Sequence, residues 1–269
     1  MLGPVSSSGN RNRDKIAIVA TLVVLVCVSW VYLVYISSGM SDMEMSSSMK
    51  NNMGMGAMKP GVPMPWGVGD WISMLIMWSV MMIGMMIPSA SPMIILFARL
   101  KRQKTAQIKS YISTFIFISG YVLIWSGFSI FATVANYILH SNAMMSGMMG
   151  ENTSNLVGGV LLVAAGIFQF TPIKKACLNN CRTPMGFLMT NWKDGNSGAL
   201  RMGLEHGTYC LGCCWLIMAL LFVLGVMNLV WIAALALFVL IEKMVPNAQW
   251  ISWISGIGML IWGGWLFLV

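Results

Sequence analysis

The sequence predicts an all-α, polytopic transmembrane helix bundle. Three observations predict it: recurrent apolar runs, a scarcity of charge, and the placement of the charges that remain. Of the 269 residues, 58% are hydrophobic and 9% charged, and the mean hydropathy is +0.77. That is the composition of an integral membrane protein rather than a soluble domain. Apolar runs of roughly 20 residues, the length that crosses about 30 Å of hydrocarbon, recur along the chain and leave no room for a soluble catalytic domain.

Seven spans are expected: Ile16–Ile36, Trp71–Ala98, Tyr111–Leu139, Leu156–Phe170, Leu204–Leu224, Leu229–Ile241 and Trp250–Leu268. The fifth and sixth run nearly together and divide at Gly225-Val226-Met227-Asn228, residues that suit a tight turn. The chain then consists of an N-terminal anchor (1–36), an extracytoplasmic methionine-rich loop (37–69) and a six-span domain (70–269). The first apolar run is too long for a signal-peptide core and no A-x-A site follows, so it reads as a retained anchor.

A net charge of +8 raises nucleic acid as a partner, but its placement points to the membrane. Arg11, Arg13 and Lys15 precede the first span; Arg99, Lys101, Arg102, Lys104 and Lys109 follow the second. Lys174, Lys175, Arg182, Lys193 and Arg201 follow the fourth, and Lys243 the sixth, leaving Lys50 and Lys59 for the other side. The positive-inside rule puts the N-terminus inside and the C-terminus outside. Trp66, Trp71, Trp250 and Trp253 stand at span ends, where amphipathic rings favour the headgroup level. Membrane lipids, not nucleic acid, are the expected surroundings.

Two segments on the outer side are rich in methionine. The first carries Met40, Met43, Met45, Met49, Met53, Met55, Met58 and Met64 among serines, glycines and asparagines. The second, HSNAMMSGMMGEN, carries His140, Met144, Met145, Met148 and Met149. Neither can build a core, so filler methionine gains nothing there; thioether sulfur is a soft ligand that selects Cu(I). In the second span Met74, Met77, Met81 and Met85 share one helical face. That stripe is either apolar filler or a ladder of sulfurs running inward.

Five of the six cysteines gather near the inner side. Cys177 and Cys181 are spaced i and i+4, as are His206 and Cys210, with Cys213 a turn later. On a helix His206, Cys210 and Cys213 fall within about 60°, and Cys214 lies slightly to the side. Reducing conditions there favour metal binding or redox chemistry over structural disulfides. Thiolates and an imidazole suit Cu(I) or zinc, and the outer methionines tip the choice to Cu(I). Glu242 is expected to pair with Lys243 or Arg201 at the inner interface. Glu205 either does the same or orients His206.

The stretches MMIGMMIPSASPM, GYVLIW, FTPIKKACLNNCRTP and GALRMGLEHGTYCLGCCWLIMALLFVLGVMNLVW, with the following EK, resemble the family of predicted metal-binding integral membrane proteins. The likeness runs from Trp71 to the C-terminus. It implies Cys177, Cys181, His206, Cys210, Cys213 and Cys214 as a ligand set and supplies no substrate.

The function expected is Cu(I) capture by the outer methionines (Met43, Met45, Met144 and Met148 among them), passage along Met74, Met77, Met81 and Met85, and reception by the Cys/His cluster. Pro88 and Pro92 are expected to kink the second span beside that cluster. Two alternatives belong to other classes. One is an accessory subunit of a membrane copper enzyme, with Gly158-Gly159, Gly256-x-Gly258 and Gly263-Gly264 packing on partner helices; the other is a thiol–disulfide relay. The chain has no phosphate-binding loop, nucleophile elbow or H-E-x-x-H, so ATP-driven transport by this chain alone is not expected.

Overall fold

Apolar segments without water must close their backbone hydrogen bonds within themselves, and this chain does so as helices. The computed structural model describes residues 8–52, 66–104, 107–141, 145–146, 151–152, 155–245 and 249–268. The helices are α1 (Ser8–Asn52), α2 (Val68–Lys104), α3 (Gln107–Ser141), α4 (Asn155–Phe170), α5 (Pro172–Arg182), α6 (Pro184–Thr190), α7 (Gly195–Ala219), α8 (Leu221–Leu224), α9 (Leu229–Met244) and α10 (Gln249–Leu266). A minimal antiparallel ladder, β1 (Met145–Ser146) with β2 (Glu151–Asn152), precedes α4. The architecture is otherwise all-α.

Among the described residues, four helical segments are long and apolar enough to cross a membrane: Ile16–Gly39, Val68–Gln103, Lys109–Ser141 and Gly195–Leu224. A fifth is added if α4 and α5, bent by 67° where they join, count as one. This is fewer than the seven expected, for two reasons. With 16 residues, α9 is too short; at about 1.5 Å per residue it spans about 24 Å. In α10, four tryptophans and four glycines among 18 residues dilute the apolar content.

The segment expected as a loop after the first span begins as helix, since α1 continues through Met40, Met43, Met45 and Met49 to Asn52. Methionine, glutamate and lysine favour helix there, although the serines, aspartate and asparagines between them are weaker formers. Met53, Met55, Met58, Met64, Met144, Met148 and Met149 lie outside the described residues. The turn between the fifth and sixth expected spans falls where the sequence places it. Gly225 adopts φ 95°, a left-handed conformation that favours glycine, and Asn228 caps α9 by accepting from the amides of Val230 and Trp231.

Contacts along the helices set their directions. Met74 meets Asn136, the Met86 carbonyl meets Tyr121, and the Ala98 carbonyl meets Ser110, so α2 and α3 are antiparallel. Gly120 lies against Leu200 and Leu204, and Gly207 against Tyr121 and Ile124, so α3 and α7 run parallel. Gly159 and Gly166 of α4 oppose Gly263 and Gly256 of α10, again antiparallel. A Cβ on Gly159 would stand 3.2 Å from the Gly263 carbonyl oxygen, and one on Gly166 3.0 Å from that of Gly256. Glycines expected to receive partner helices are thus partly used within the chain; Gly258 and Gly264 face open space.

Candidate metal centre

Close backbone approach delivers the cluster. In GLEHG, Gly203 and Gly207 form a small-xxx-small surface on α7. A Cβ on Gly203 would collide with the Phe117 carbonyl of α3, and one on Gly120 would lie 2.6 Å from the Leu200 carbonyl oxygen. With the helices this close, the Tyr121 hydroxyl reaches the Cys210 sulfur at 3.1 Å. Tyr121 also stands 3.2 Å from the Met86 carbonyl of α2, to which it donates.

Helix α2 passes Pro88 and Pro92 without ending. Proline at 92 leaves the Pro88 carbonyl without its helical N–H partner, and the Ser91 hydroxyl donates to it at 2.8 Å. Ser89 lies between the prolines and accepts from Lys243 at 3.1 Å. The same ammonium donates to the Cys210 sulfur at 2.9 Å. Cys210 therefore joins side chains from α3, α7 and α9. It sits near the middle of α7, level with the last turn of the short α9.

Two further thiols arrive from the bent segment. Thr171 caps α5, its side chain accepting from the Lys174 amide, and Pro172 starts the new helix. Cys181 then comes close enough to Cys210 and Cys213 to interact with both, while the Cys177 sulfur lies against Gly212, 2.9 Å from where a Cβ would be. All six cysteines are free thiols. Cys213 and Cys214 turn back onto the Cys210 carbonyl at 3.0 and 2.9 Å. Among the described residues, no group of three or more His, Cys, Asp or Glu side chains is arranged to hold an ion as it stands; binding needs thiols to rotate off that carbonyl.

His206 lies one turn before Cys210, 3% exposed and packed among Phe117, Tyr121 and Phe187. Its Nδ1 is buried without a hydrogen-bond partner among the described residues, a costly state and a free lone-pair position. Met77, Met81 and Met85 are buried, and Met74 is partly so. The donors are soft, which fits Cu(I).

Of the two carboxylates near the cluster, Glu242 departs from expectation and Glu205 takes the ion-pairing alternative. Glu242 pairs neither with Lys243 nor with Arg201: its carboxylate meets Lys174 at 2.7 Å and Ser252 at 2.5 Å. Consecutive residues of α9 point to different neighbours, leaving Lys243 for Cys210. Glu205 pairs with Lys193 and Arg201. Sequence reasoning missed the roles of Lys243 and Tyr121. An ionisable pair inside an apolar run was a usable signal for the first; Tyr121 had none, because its role depends on helix approach.

Fold and site define an all-helical protein with membrane-length helices around a buried, sulfur-rich cluster. The chain belongs to the family described as "PpoB2: Copper chaperone", whose model matches residues 75–266. Membership gives it a copper-related role and sharpens the metal-binding resemblance read from its motifs. No curated protein and no solved structure matches the chain.

Proposed function

We propose that this protein is a copper(I)-binding integral membrane protein that captures the ion through outer methionine-rich segments and carries it to the buried thiols for transfer or delivery. Cys177, Cys181, His206, Cys210, Cys213 and Cys214 are its ligand set, with Met74, Met77, Met81 and Met85 as the approach. The observation that carries this reading is the meeting of Cys181 on α5 with Cys210 and Cys213 on α7, in a chain whose family is described by copper. Zinc is the competing occupant, since thiolates and imidazole also bind it.

The N-terminus lies inside and the C-terminus outside, with the short α9 and α10 completing the crossings. The placement of basic residues and the alternating helix directions support that arrangement. The test is metal analysis of the purified protein in detergent, with titration against a Cu(I) chelator. Changing Cys210 and Cys213 together to serine should abolish tight Cu(I) binding; unchanged stoichiometry and affinity would remove the cluster from the mechanism.

A further inference from the structure

Lys243 lies in the last turn of α9, 7% exposed, and its ammonium touches the Cys210 sulfur at 2.9 Å and the Ser89 hydroxyl at 3.1 Å. Among the described residues no carboxylate answers it. Glu242 is committed to Lys174 and Ser252, and Glu205 to Lys193 and Arg201. Facing it instead are a hydroxyl from α2, a thiol from α7 and, across that thiol, the Tyr121 phenol from α3. A buried ammonium without an anion is costly. By Coulomb's law alone, it should also repel a metal cation.

A count of charges removes the conflict. When Cu(I) binds two thiols, two S–H bonds break, two S–Cu bonds form and two protons leave to water, with no change of oxidation state. The product carries one net negative charge. Deep in an apolar bundle that anion needs a cation beside it, and Lys243 already stands there. We propose that Lys243 is the built-in counter-charge of a Cu(I)–dithiolate formed with Cys210, a positioning residue that makes the loaded site electrically neutral. This rests on the copper reading above and adds a residue that the ligand set does not contain.

The sign of the effect is the test. At an effective dielectric of about 20, one unit charge about 5 Å away shifts an equilibrium by about two powers of ten. Lys243→Met should therefore weaken Cu(I) binding by about tenfold or more, measured by chelator competition on purified protein in lipid nanodiscs. Ag(I), of equal charge and similar softness, should weaken in parallel. Lys243→Arg, which keeps the charge, should stay close to the wild type. Tyr121→Phe removes a neutral hydrogen bond from the same sulfur and should cost about fivefold at most.

Binding by Lys243→Met that equals or exceeds the wild type overturns the proposal, because a merely repulsive lysine predicts that gain. A loss in Tyr121→Phe as large as in Lys243→Met also overturns it, since hydrogen bonding rather than charge would then be responsible. If Lys243→Met does not purify as a single species, Lys243→Gln and the relocated charge Ser89→Lys/Lys243→Met give the same comparison: loss in the first, recovery in the second. A wild-type protein without Cys210-dependent Cu(I) binding would sink the copper reading itself. Tight wild-type binding with an undiminished neutral variant would sink only the role of Lys243.

Discussion

Replacing Glu242 by glutamine removes a negative charge from a place nearly closed to water. Glu242 and Lys174 are each 1% exposed and 2.7 Å apart. The same carboxylate oxygen takes the Ser252 hydroxyl at 2.5 Å. Glutamine has almost the same volume and keeps an acceptor for Ser252, so packing survives and the change isolates the charge. Among the described residues Lys174 then retains only neutral acceptors, the Gln169 side-chain carbonyl among them. Breaking a buried ion pair by removing one partner costs about 3–5 kcal/mol. The surviving acceptors place Glu242→Gln near about 3 kcal/mol, roughly two powers of ten in the folding equilibrium. Removing both charges in Lys174→Met/Glu242→Leu should recover most of that loss, because an apolar pair of similar volume is often neutral or better. Arg182 donates to the Glu242 backbone carbonyl at 2.9 and 2.7 Å, so it holds α9 in both variants. Equilibrium unfolding in mixed micelles, followed by tryptophan fluorescence and far-UV circular dichroism, gives the three stabilities. A Glu242→Gln stability within about 1 kcal/mol of the wild type, or a double variant less stable than the single one, would refute the reasoning.

Three further outcomes are expected. Gly203→Ala gains about 1 kcal/mol of helix propensity but forces a methyl onto the Phe117 carbonyl, which cannot rotate away. Overpacking of about 1–3 kcal/mol should win, lowering thermal stability and exposing Cys210 to faster maleimide labelling. A short bifunctional thiol reagent should link Cys181 to Cys210 in metal-free protein, with bound Cu(I) protecting both; independent modification without protection would mean that the two helices do not share a site. Changing Met77, Met81 and Met85 to leucine should cost less than about 1.5 kcal/mol each, yet slow the loading of the thiols by Cu(I) in stopped-flow measurements. Unchanged loading would make the stripe a packing surface alone.

Much of the site was legible because it rests on local spacing. The i, i+4 separation of Cys177 and Cys181 survives the unexpected bend at Thr171, since α5 carries both. His206, Cys210 and Cys213 share a face because α7 is unbroken there. The Gly225–Asn228 turn was readable from residues that tolerate φ above zero or cap a helix. The number of membrane-length helices was harder to read, because hydropathy along a run does not reveal where a helix bends or stops.

Sequence by itself determined the all-helical class, the apolar segments, the clustering of sulfur and the asymmetry of basic charge, all properties of composition and period. Tertiary structure alone decided which ionisable groups meet. Glu242 and Lys243 are adjacent in the chain, and nothing in their order says that one faces Lys174 and the other Cys210. That choice follows from the angular step between neighbours on α9 and from the helices packed on its two sides. The place of Tyr121 beside Cys210 likewise depends on Gly120, Gly203 and Gly207 letting two backbones approach, a long-range contact without a local signature.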